Sequence, residues 1–145
     1  MKIFSIAAVA VLVDISVSFH LIDDDETFGY YPKIPILNSK FGMKCQTNNL
    51  YNAETIKQKV DEAHNNVRSI TRLEQGTFTR FPRVVLYSYF IGQTYDPEQD
   101  YHPSNYILID STGSFVAGMK SCEANDQVPY RVCMFTGGTD YTRYG

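Results

Sequence analysis

Tryptophan is missing from this chain of 145 residues, and cysteine (three) and histidine (three) are scarce. Three cysteines allow at most one internal disulfide, which excludes the heavily cross-linked scaffolds of very small secreted domains. The histidines do not cluster. His102, in the stretch "DYHPSN", has no second His or carboxylate at a ligand spacing, so no metal site and no cofactor is expected. There is no excess of positive charge. The formal net charge is -3, which argues against DNA as a partner. There is no internal repeat and no low-complexity tract, and long apolar runs are also lacking. The longest spans residues 3–13, well short of the roughly 20 residues that cross a bilayer, so no membrane anchor is expected.

That run instead has the form of a secretory signal. Lys2 opens it, Asp14 closes it, and Ser16-Val17-Ser18 offers small residues where a signal peptidase reads. Residues 1–18 are therefore read as a signal peptide and the protein as secreted. Their loss would remove one cation and one anion and leave the net charge unchanged. What remains fits one domain with a single core, taken as a monomer. Its 11 Tyr, nine Phe and many β-branched residues favour sheet.

Residues 19–44 hold an acidic patch, "DDDE" at 23–26, then two prolines and scattered aromatics, and are read as an arm lying on the body. Residues 52–67 carry the clear helix signal. Asn52 suits the N-cap, Glu54 the positive helix end, and Ala53, Ile56, Val60, Ala63 and Val67 recur at steps of three and four. His64 falls near the edge of that apolar face and reads as a half-exposed surface residue.

Everything beyond reads as strand. A turn is expected at Gln75-Gly76, a buried strand at 83–90, a hairpin over 106–120 and a last strand at 130–135, with a polar loop over 91–105. The expected class is α+β, one N-terminal helix packed on an antiparallel sheet. An oxidised compartment forms one disulfide. Three pairings are open, and a Cys45–Cys133 bridge would close the longest loop, worth about 4 to 5 kcal/mol in the chain-entropy model.

Helix first, sheet after, and cysteines just before the helix and in the last strand: this order resembles the small secreted guanyl-specific ribonucleases of fungi. The stretch from Pro103 to Cys133 follows that pattern without a gap, through Ala117-Gly118 to the last Cys. The resemblance spans Cys45 to Cys133, with the domain taken as 45–145, and implies a Cys45–Cys133 clasp with Cys122 reduced. That family cleaves RNA with a Glu base, a His acid, an Arg and a Tyr-Pro-His segment. Here Arg80 precedes Phe81-Pro82 where the base would stand, and a guanidinium cannot take a proton. Ile107 falls at the Arg, or Tyr106 or Asn105 if the register slips. Cys122 falls at the His, Tyr130 keeps the aromatic near the phosphate, and no Tyr-Pro-His occurs. Glu74 falls where the family keeps a guanine-reading Glu.

A nuclease frame stripped of its catalytic set resembles the RNase-like effector candidates of powdery mildew fungi, although their aromatic-x-Cys motif reads Met43-Lys44-Cys45 here. This implies a secreted, non-catalytic effector that engages host protein or host RNA, with delivery into host cells. Arg68, Arg72, Arg80 and Arg83 fall within 16 residues, interleaved with Phe78 and Phe81. Together with Tyr130 they form the expected RNA-binding set, since cations and stacking faces hold single strands. The alternative is a working endoribonuclease with relocated groups, Glu74 with His64 or His102.

Overall fold

The computed structural model describes residues 19–22, 32–123 and 127–145. The expected signal peptide and acidic patch lie outside them. The helix forms where its periodicity places it. α1 runs Ala53–Asn66, and the Asn52 side chain accepts from the Thr55 amide at 2.9 Å. Ala53, Ile56 and Ala63 turn inward and are buried, the 3.6-residue period converted into one apolar stripe. They join Ile107, Ile109, Tyr87, Phe115, Phe41 and Met43 in one core cluster. A short 3-10 turn at Ile70–Arg72 follows.

The α+β expectation does not hold. Of the described residues 44% lie in strands and 15% in helix, and the main sheet curls into a nearly closed, barrel-like body rather than a layer under a helix. Its strands are β1 (Phe19–Leu21), β5 (Glu74–Phe78), β6 (Leu86–Gln93), β7 (Ser104–Ile109), β8 (Phe115–Ser121) and β9 (Tyr130–Val132). They lie side by side in that order, with β1 parallel to β5 and every other pair antiparallel. The two edge strands come back into contact, and the Phe19 ring meets Tyr130 edge-on at 6.4 Å. Strand twist accumulating over six strands produces this curl. Closure protects edges that would otherwise offer unpaired backbone groups.

Curling gives the sheet an inside and an outside, and each strand's alternation supplies both. Ile107 and Ile109 face α1, whereas Leu108 joins Leu86, Phe78, Phe81, Val116, Ala117 and Met119 in the second, interior core. The helix therefore covers only one outer patch of a body that has its own core.

Two smaller sheets complete the molecule. β3 (Gly42–Gln46) pairs with β4 (Asn49–Asn52) and with β10 (Met134–Phe135), and β2 (Lys33–Pro35) pairs with β11 (Tyr141–Arg143). Residues 19–44, expected as an arm, thus contribute β1, β2 and most of β3. Three-residue strands are too short for a period-two signal, and only their distant partners make them strands.

Other local expectations shift for similar reasons. Gln75-Gly76 is not a turn but the middle of β5. A Cβ on Gly76 would collide with the Phe19 ring laid across it, so this glycine marks a close approach between neighbouring strands. The expected last strand splits at Cys133 into β9 and β10, which belong to different sheets. Residues 83–85 precede β6, and a turn ends at Arg83, where Phe81 N donates to Phe78 O at 2.9 Å and Val84 N to Phe81 O at 3.2 Å. Arg83, at φ 69°, lies in the left-handed region and redirects the chain.

Candidate functional site

The four arginines of the expected RNA-binding set fall on both sides of β5 along the chain. Arg68 and Arg72 precede β5, and Arg80 and Arg83 follow it. Five extended residues put about 16 Å between the two pairs. Phe78, expected as a stacking face, is only 1% exposed and belongs to the interior core, with Phe81 beside it at 5.8 Å. The Arg80 guanidinium lies over the Phe78 ring, 4.9 Å from its centre. Arg80 therefore packs on the plug of apolar rings at the β5–β6 turn.

Tyr130, by contrast, is well placed. It is half-buried on β9, with Tyr106 of β7 at 6.1 Å and Phe90 of β6 beyond, 5.8 Å from Tyr106. Register places the row on one face: Phe90 pairs with Tyr106, Tyr106 with Met119 and Met119 with Val132, and Tyr130 stands two residues along β9 from Val132, opposite Ser121. The row climbs from the interior core to solvent, where Phe90 is 52% exposed. Burial, then Tyr106 and Glu74, push the Tyr130 hydroxyl above its ordinary pKa of 10.0. Glu74 is thus close to this mouth of the barrel, on the strand position opposite Ser88. Phe90 and Tyr106 were missing from the expected set. Their signal was their alternation with Tyr89 and Ile107 along neighbouring strands, which becomes a row only once register is known.

The groups of the relocated-nuclease alternative lie on three different elements. His64 lies against the β7–β8 turn on the α1 side, so close that a Cβ on Gly113 would strike its ring. Glu74 lies at the mouth, on the other side of the sheet. His102 packs on Tyr95 at 5.1 Å in the loop before β7. Ile107, which the ribonuclease resemblance would align with an arginine, is fully buried, as is Asn105, whose amide exchanges hydrogen bonds with Gln46 at 2.8 and 3.2 Å. Those bonds tie β7 to β3 and occupy the side chain structurally.

Cys45 and Cys133 form the disulfide, and Cys122 lies outside it, half-buried. The bridge sits beside a cleft of about 610 Å³ where β9 and β10 diverge into their separate sheets. Lys44, Lys120 and Arg131 line it together with Met134, which is 75% exposed, and with Asp96 and Glu98 of the loop before β7. Among the described residues no group of His, Cys, Asp and Glu is arranged to hold a metal, and no helix is long and apolar enough to cross a membrane.

No family model, no curated protein and no solved structure matches this chain.

Proposed function

We propose that this protein is a secreted, non-catalytic effector that holds single-stranded host RNA at the mouth of its barrel. One observation carries the reading: the row Phe90, Tyr106 and Tyr130, which runs from the core to an exposed ring. Bases stack on such rings whatever their identity, because every base has a π-face. Glu74 at the same mouth is an acceptor for base N–H groups. Arg72 precedes Glu74 by two residues and supplies charge for the phosphates.

The absence of turnover follows from the residues at the positions that the ribonuclease resemblance assigns to catalysis. Arg80 rests on Phe78, Ile107 is buried, and a cysteine, Cys122, stands where the pattern has its histidine acid. In-line cleavage needs a base and an acid on opposite sides of phosphorus. With a net charge of -3 the binding is weak and salt-dependent.

Titration of a labelled single-stranded RNA at low salt tests the reading. Phe90→Ala and Tyr130→Ala should each weaken binding by roughly fivefold to a hundredfold, the usual worth of one stacked base. Wild-type protein should leave the RNA intact. Cleavage, or an affinity indifferent to both substitutions, would point to the relocated nuclease or to a host protein as partner.

A further inference from the structure

A second feature lies on the opposite side of β9 from Tyr130. Lys120 and Arg131 stand directly opposite each other across the β8–β9 ladder. Like charges at opposed positions repel and weaken a strand pair. Lys44 adds a third cation to the same cleft from β3, where it stands opposite Met134 of β10. Among the described residues none of the three makes an ion pair; the pairs present are Lys40–Asp140, Lys57–Glu54 and Lys59–Glu62. Two carboxylates share the lining: Asp96, which is buried and accepts from the Glu98 amide at 3.0 Å within its own turn, and Glu98, which makes no ion pair with the three cations. Three cations with no ion pair among the described residues converge on one cleft, in a chain whose net charge is negative, a local rule broken at a local cost.

We propose that this cleft binds a phosphate monoester of nucleotide size. Arg and Lys are the side chains that grip a phosphoryl dianion, and a bound dianion would reverse the Lys120–Arg131 repulsion. The cleft's volume of about 610 Å³ lies within the usual range for small-molecule sites, roughly 300 to 1,000 Å³. Met134, with Val132 and Phe135 behind it, offers an apolar surface on which a base can lie beside the charged end. The site is separate from the aromatic mouth, and its occupation does not depend on RNA entering there. The phosphate monoester comes either from a free nucleotide or from the 5′ end of a strand.

Calorimetric titration of the full-length protein with adenosine 5′-monophosphate tests this, with adenosine as the control. The nucleotide should bind, adenosine should bind at least tenfold more weakly, and Lys120→Gln or Arg131→Gln should each weaken the nucleotide roughly tenfold, the worth of one charge-assisted hydrogen bond. Both variants should fold with unchanged circular dichroism, since each removes a repulsion. Arg80→Gln should bind as wild type does. Oligonucleotides with a 5′-phosphate or a 5′-hydroxyl separate the two sources: a Lys120-dependent preference for the phosphorylated strand assigns strand ends, and equal weak binding of both assigns the free nucleotide. Phe90→Ala should leave nucleotide affinity untouched, so loss at the cleft and loss at the mouth are read independently. Failure of the nucleotide to bind, or affinity unchanged in both cleft variants, would overturn the proposal.

Discussion

Asp110 shows how one side chain closes a turn and makes stability depend on pH. Burial disfavours its charge, yet it accepts from Thr112 Oγ1 at 2.6 Å, the Ser114 amide at 2.9 Å, the Tyr144 hydroxyl at 2.8 Å and the Thr112 amide at 3.0 Å. The four bonds outweigh burial and hold the carboxyl below its usual 3.8. Tyr144 responds in the opposite sense, pushed up to about 12 by burial and by the Asp110 bond and charge. Because the folded carboxyl is the stronger acid, its stabilisation is complete above the unfolded pKa and is lost as pH falls through the folded one. Urea unfolding should therefore show Asp110→Asn less stable than wild type at neutral pH, with the gap closing under acid. A gap independent of pH would mean that the charge contributes nothing. "STGS" announced a turn in the sequence. That Tyr144, 34 residues on, would complete it was not legible, because a hydroxyl partner leaves no local pattern.

At the scale of elements, the helix and the first strand make a useful contrast. Fourteen residues of α1 repeat their apolar spacing and carry their own cap, so the element could be read from the chain directly. β1 has three residues, and nothing in "FHL" distinguishes a strand from a tail. Its evidence lies elsewhere, in Gly76, which leaves room for Phe19, and in β5, which accepts its backbone. Both elements nevertheless bury core side chains completely or nearly so: Ile56 is 0% and Phe19 4% exposed. Ile56→Ala should cost about 2 to 5 kcal/mol and Phe19→Ala about 3 to 5 kcal/mol. Equilibrium unfolding in urea measures both. A loss under about 0.5 kcal/mol for Phe19→Ala, typical of surface positions, would show that β1 does not close the barrel.

For the whole molecule, the Cys45–Cys133 bridge spans 88 residues and joins β3 to the junction of β9 and β10, where the curled sheet meets the three-stranded one. In the chain-entropy model, reduction should cost about 4 to 5 kcal/mol, seen as a lower urea midpoint in dithiothreitol. Peptide mapping without reductant should recover the Cys45–Cys133 pair and label Cys122 alone. A Cys122–Cys133 peptide would contradict this covalent frame. The amino-acid sequence by itself determined the helix with its cap, the strand-rich remainder and the limit of one disulfide, because each rests on residues near one another in the chain or on counting. It did not determine that the sheet would close on itself, that Phe78 would be buried in the interior core while Phe90 stood exposed at its mouth, or that Lys44, Lys120 and Arg131 would meet in one cleft. Those outcomes depend on register and on pairing between strands as far apart as β1 and β5, and a slip of one residue exchanges the two faces of a strand. Only the tertiary structure decides which side chains become neighbours, and with them where a ligand could sit.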